Sequence, residues 1–110
     1  MSEERIEKSK AAVETADHIP AEKKAELLES LAKLKPVIAK VSQTHEEDAQ
    51  SIARLVEAST LEATRKEKRA GALKKTLGEL TQSIEKFEAS HPKVFEVVSE
   101  YSTLLANMGL

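Results

Sequence analysis

Apolar residues recur at steps of four and three in two places along this chain, and that spacing constrains the fold more than any other feature. Leu27, Leu31, Leu34, Ile38 and Val41 form one seam, and Leu73, Leu77, Leu80, Ile84 and Phe87 form the other. Steps of three and four keep side chains on one face of a helix, whereas a strand needs alternation by two. Each seam is therefore the buried stripe of a helix that packs lengthwise on another. Composition agrees. Ala, Glu, Lys, Leu and Arg make up about 55% of the residues, as in long helices and bundles. Aromatic residues are only 3%, namely Phe87, Phe95 and Tyr101. β-branched residues are scattered, and three glycines and three prolines are too few for a turn-rich β fold. The expected fold is all-α, an antiparallel bundle of four to five helices, some long and coiled-coil-like. At 110 residues it makes a single helical domain, 1–110.

Helix boundaries follow from caps and breakers. Ser2 can cap a first helix, with Glu3 and Glu4 well placed in its first turn, but Ile6 and Val13 give that helix a thin stripe. Asp17-His18-Ile19-Pro20 reads as a break, with Pro20 at the first position of helix two. Pro36 lies inside the first seam and should bend that helix, because the periodicity continues past it. Thr44 and Glu47 fit a capping box that opens a third helix, although one continuous helix through His45 and Asp48 is the competing reading. The third helix holds Ile52, Leu55, Val56 and Leu61, and Gly71 is read as its left-handed stop. The fourth carries the second seam, with Gly78 inside it as a site of close helix contact, and it should pair with helix two along the full seam. Ser90-His91-Pro92 marks another break, and Val94, Phe95, Val97, Val98, Tyr101, Leu104 and Leu105 line a last helix. Phe95 and Tyr101 should anchor it, with Gly109 after its end and Leu110 folded back.

A closing pattern narrows the origin. Phe87-Glu88-Ala89-Ser90-His91-Pro92, followed by an apolar helix and Asn107-Met108-Gly109-Leu110, resembles a bacterial family of short helical proteins classed as a domain of unknown function. The stretch 18–40 is similar to that family's early segment, and the two stretches cover about half the chain. Members are typically shorter, so the region 46–75 reads as an expansion. The resemblance implies a helical fold and the bacterial cytosol, and it transfers no catalytic residue.

Several constellations invite a functional reading. Glu88 and His91 have the i, i+3 spacing of carboxylate-bridged metal proteins, yet neither His18 nor His45 has a Glu three residues before it. His45-Glu46-Glu47-Asp48 is explained by a helix start, since adjacent helical residues diverge and acidic residues suit a helix N-terminus. Neither is expected to hold metal, and no cofactor is expected. Arg65, Lys66, Lys68, Arg69, Lys74 and Lys75 form the one strongly basic run, the basis of an alternative reading as phosphate contacts to nucleic acid. No stacking aromatic lies nearby and the net charge is −2, so nucleic acid ranks second. No Gly-framed nucleophile, phosphate loop or paired-histidine motif is present, so no enzyme and no small-molecule substrate are expected.

The absence of cysteine removes disulfide and thiol chemistry. No apolar run reaches the ~20 residues that span a bilayer, and the start resembles no signal peptide, so the expectation is a cytoplasmic protein without membrane contact. Function is then expected to lie in association, with a second copy or another helical protein, as an interaction or scaffolding module. The residues expected to serve association or core are Leu27, Leu31, Leu34, Ile38, Leu73, Leu77, Leu80, Ile84, Phe87, Phe95 and Tyr101. A thin first helix suggests a marginal monomer, which would favour a homodimer.

Overall fold

The breakers and seams above become six helices in a computed structural model, which describes residues 2–67 and 69–109. They are α1 (Ser2–Thr15), α2 (Ala21–Ser42), α3 (Glu46–Ala63), α4 (Ala70–Glu85), α5 (Phe87–Ser90) and α6 (Pro92–Gly109). The described residues contain no strand, and the fold is an all-α bundle. Among the described residues no helix is long and apolar enough to cross a membrane.

α3 sits at the centre. It packs on α1, α2, α4 and α6, while α6 packs on α2, α3, α4 and α5. Its buried face is made of small side chains, Ala49, Ala53, Ser59 and Ala63, interleaved with Ile52, Val56 and Thr60. Small residues let neighbouring axes come close, so one helix can serve several partners. The two leucine seams do not pair with each other. α2 and α4 make no packing contact among the described residues: α2 packs on α1, α3 and α6, and α4 on α3, α5 and α6. Both seams are bulky, and the core fills better when each faces the small stripe of α3 and the valines of α6.

Expected boundaries hold where a proline or a seam defines them. α2 runs through Pro36 without interruption, α2 and α3 are separate helices, and α6 restarts at Pro92. Others need correction. Pro20 is the residue just before α2, its carbonyl accepting from the Lys24 N–H at 3.0 Å. Thr44 forms no capping box: α3 is capped by His45 without a side-chain bond, and the Thr44 hydroxyl meets His45 Nδ1 at 2.8 Å. α3 stops at Ala63, so Gly71 is no stop signal. It lies within the first turn of α4, and no described glycine has positive φ. Thr64 caps the end of α3, its N–H and hydroxyl both donating to the Thr60 carbonyl, and α4 begins at Ala70. Leu61 is 50% exposed and outside the core. α6 continues through Gly109, and Leu110 lies outside the described residues.

Gly78 also departs from expectation. It is exposed, and a Cβ built there would meet nothing within 4 Å, so it admits no close helix contact. A helical glycine without a packing role costs about 0.5–1 kcal/mol relative to alanine, mostly through the entropy of the unfolded chain. Gly78→Ala is therefore expected to stabilise the protein by about that amount, read as a higher urea midpoint at unchanged slope.

α1 is better held than its thin stripe suggests. Ile6 and Val13 are fully buried, Ser2 and Ser9 fit the close approach to the bundle, and Ala16 and Ile19 continue the contact into the connection. Arg5 reaches Glu57 on α3 at 2.7 Å, and Lys35 on α2 pairs with Glu7, holding that carboxyl below its ordinary pKa range. The Cα radius of gyration, 12.8 Å, is close to the ~13 Å of a compact domain of this size. The core closes within one chain.

Candidate functional site

Two of the prolines, Pro36 and Pro92, also line an open recess. Lys86 ends α4, α5 makes a single turn, and the His91 N–H closes that turn on the Phe87 carbonyl at 2.8 Å. Pro92 disfavours a helical residue before it, and His91 accordingly takes φ −138°, ψ 69°. Its carbonyl then accepts from the Phe95 N–H at 3.2 Å, which starts α6 in a new direction. His45 opens α3 with nearly the same backbone, φ −138°, ψ 63°. The two corners meet: the His45 and His91 rings lie edge to face with centroids 5.2 Å apart, and Phe87 is 5.5 Å from His91. Lys86 ties the corner to α3 through Asp48 at 3.0 Å.

Between this corner and the last turns of α2 lies an open cleft of about 600 Å³. Val37, Val41 and Val94 give it an apolar floor, and Pro36 and Pro92 form its edges. Lys40 and Lys93 stand at its rim with Thr44, Ser90 and His91, and no carboxylate lines it. That volume lies in the range of ligand and peptide sites, about 300–1,000 Å³. Thr44 and His45 are a hydroxyl and an imidazole in contact, but they are sequence neighbours, and no described carboxylate bonds the ring to orient it. Among the described residues no three His, Asp or Glu side chains converge as a metal site, and Glu88 is exposed beside His91 without a bond to it.

The residues singled out by sequence fall into two groups. Leu27, Leu31, Leu34, Ile38, Leu73, Leu77, Leu80, Ile84, Phe87 and Tyr101 are buried in the core of one chain, and Phe95 packs half-buried against it. The basic run is dispersed in its partners. Arg65 and Arg69 both bond Glu62, at 3.0 Å and, for one of the two Arg69 bonds, 3.3 Å. Those bonds, that from Arg69 foremost, hold the Glu62 carboxyl below its ordinary range. Lys66 is exposed in the connection, Lys74 and Lys75 are exposed on α4, and Lys68 lies outside the described residues. The cleft itself joins 36–44 to 90–94, and sequence reading met Pro36 only as a bend and Pro92 only as a break.

No curated protein and no solved structure matches the chain. The family described as Domain of unknown function (DUF4404) matches residues 27–110, which takes in every residue of the cleft and leaves α1 before it. A match over that much of the chain shows kinship, and the protein belongs to the DUF4404 family.

Proposed function

We propose that the protein is a docking module that performs no chemical step and binds a segment of another protein in the α2–α6 cleft. The observation that carries this reading is the division of its apolar surface. The leucine seams are spent on the core of one chain, and the recess left open combines an aliphatic floor with a polar, basic rim. Such a surface suits a peptide or helix edge that brings its own apolar anchor, because burying aliphatic area supplies affinity and the rim supplies register. A homodimer built on the seam residues would have to open the core, so any self-association uses other surface. Nucleic acid remains the weaker reading, since two of the six basic side chains already serve Glu62.

A photoreactive residue tests the reading in cells. Placed at Gln43, which lines the cleft, it is expected to trap a discrete protein; placed at exposed Gln82 on α4 it is not. The trapped protein, purified and remixed, should lose about tenfold or more in affinity when half-buried Val37 becomes Asp, as expected for a charge set in an apolar contact. The same adducts from both positions, or unchanged affinity of Val37→Asp, would refute cleft docking.

A further inference from the structure

The charge around the cleft assigns a chemistry to the segment that enters it, an inference that rests on the docking reading above. The chain as a whole is slightly acidic, 19 Asp and Glu against 17 Lys and Arg, yet the cleft is lined by two lysines and no carboxylate. Neither lysine is firmly engaged. Lys40 makes no ion pair with any described residue. Lys93 has only Glu96, 3.9 Å away with both side chains 68% exposed, a pair that water and salt weaken to little.

The backbone adds to the same sign. At the end of α2 the carbonyls that would supply negative potential are occupied: Lys40 O accepts from Gln43 N–H, Val41 O from Thr44 and His45 N–H, and Ala39 O from the Ser42 hydroxyl. At the start of α6 Pro92 has no N–H and the Phe95 N–H is taken by the His91 carbonyl, which leaves the N–H groups of Lys93 and Val94 without a bond to any described residue. Lysine ammonium groups and helix N–H groups all donate, and nothing on the rim offers an anionic acceptor.

We propose that the cleft takes an acidic segment of a partner protein, with an aliphatic side chain seated on Val37, Val41 and Val94 and carboxylates on either side meeting Lys40 and Lys93. Complementary charge of this kind sets register and rejects basic competitors more than it adds raw affinity.

The test titrates the isotope-labelled full chain with three capped octapeptides of alternating pairs, Glu with Leu, Lys with Leu, and Gln with Leu. The Glu peptide is expected to shift the amide signals of Val37, Lys40, Val41, Lys93 and Val94, and to do so less as salt rises. In the double variant Lys40→Glu/Lys93→Glu it should lose about tenfold in affinity, and the Lys peptide should gain by a comparable factor. Both lysines are exposed, so the variant should fold, which an unchanged far-UV spectrum and melting temperature verify. Equal binding of the Gln or Lys peptide at the cleft would overturn the acidic assignment while leaving docking intact. No response to millimolar Glu peptide would overturn it as well, with docking then judged by the Gln43 crosslink. Tighter binding of a thymidine oligonucleotide at the cleft would replace the partner class.

Discussion

Replacing Tyr101 with alanine is expected to destabilise the protein by about 3–5 kcal/mol, the range for deleting a buried ring. Domains of this size are stable by about 5–15 kcal/mol, so the variant should be near the edge of folding. Tyr101 lies on α6, is fully buried, and is the largest side chain in the core. Its hydroxyl meets Thr60 Oγ1 at 2.6 Å, and the Thr60 hydroxyl meets the Val56 carbonyl at 2.7 Å. Thr60 has one proton and gives it to that carbonyl, so Tyr101 must be the donor to Thr60. Burial pushes the phenol pKa up, so it stays a neutral donor across the physiological range.

The direction of this bond predicts an asymmetry. Tyr101→Phe removes the donor and leaves a satisfied hydroxyl, at about 1 kcal/mol. Thr60→Val keeps the shape but strands a buried O–H donor, at about 1–3 kcal/mol. The double variant should cost less than the sum, because neither change then leaves an orphan. Urea unfolding of the four proteins measures all three quantities. A Thr60→Val variant as stable as the parent, with additive behaviour in the pair, would mean the bond contributes nothing.

Sequence carried some elements of the fold clearly and others not at all, for physical reasons. The two leucine seams and Tyr101 were legible because large apolar side chains at helical spacing have no comfortable place but a core. The breaks at Pro20 and Pro92 were legible because proline's constraints are local. Which seam faces which is not a local property. Leu31 and Leu77 look like natural partners, yet their helices α2 and α4 make no packing contact among the described residues. The central role of α3 was hidden for a related reason: Ala49, Ala53 and Ala63 carry little hydropathy, and a helix used for close approach has no need of bulk. Arg65 and Arg69 looked like a free basic run because Glu62, the carboxylate that takes both, is read as one more charge on a helix face. The cleft was the least legible feature. Val37 and Val94 are 57 positions apart (94 − 37), and only the packing of α2 against α6 brings them to one recess.

If α3 owes its position to small side chains, enlarging one of them should be as harmful as emptying a large one. Ala53 is fully buried in the middle of α3, which packs on four helices. Ser59, one helical face along, is fully buried with its hydroxyl bonded to no described residue, so size rather than hydrogen bonding accounts for a serine there. Ala53→Leu adds three carbons at a fully buried site, and protein interiors pack near crystal density. The expected cost is about 1–3 kcal/mol, or more if α1 must move away, even though leucine is more apolar and an excellent helix former. The same substitution at Ala25, exposed on α2, should change stability by no more than about 0.5 kcal/mol. Hydropathy alone would predict a gain at Ala53, with helix propensity nearly neutral, so the sign at Ala53 separates the two accounts. Equal midpoints for the two variants in urea would show that α3 has room to spare, and the close approach of its neighbours would then need another cause.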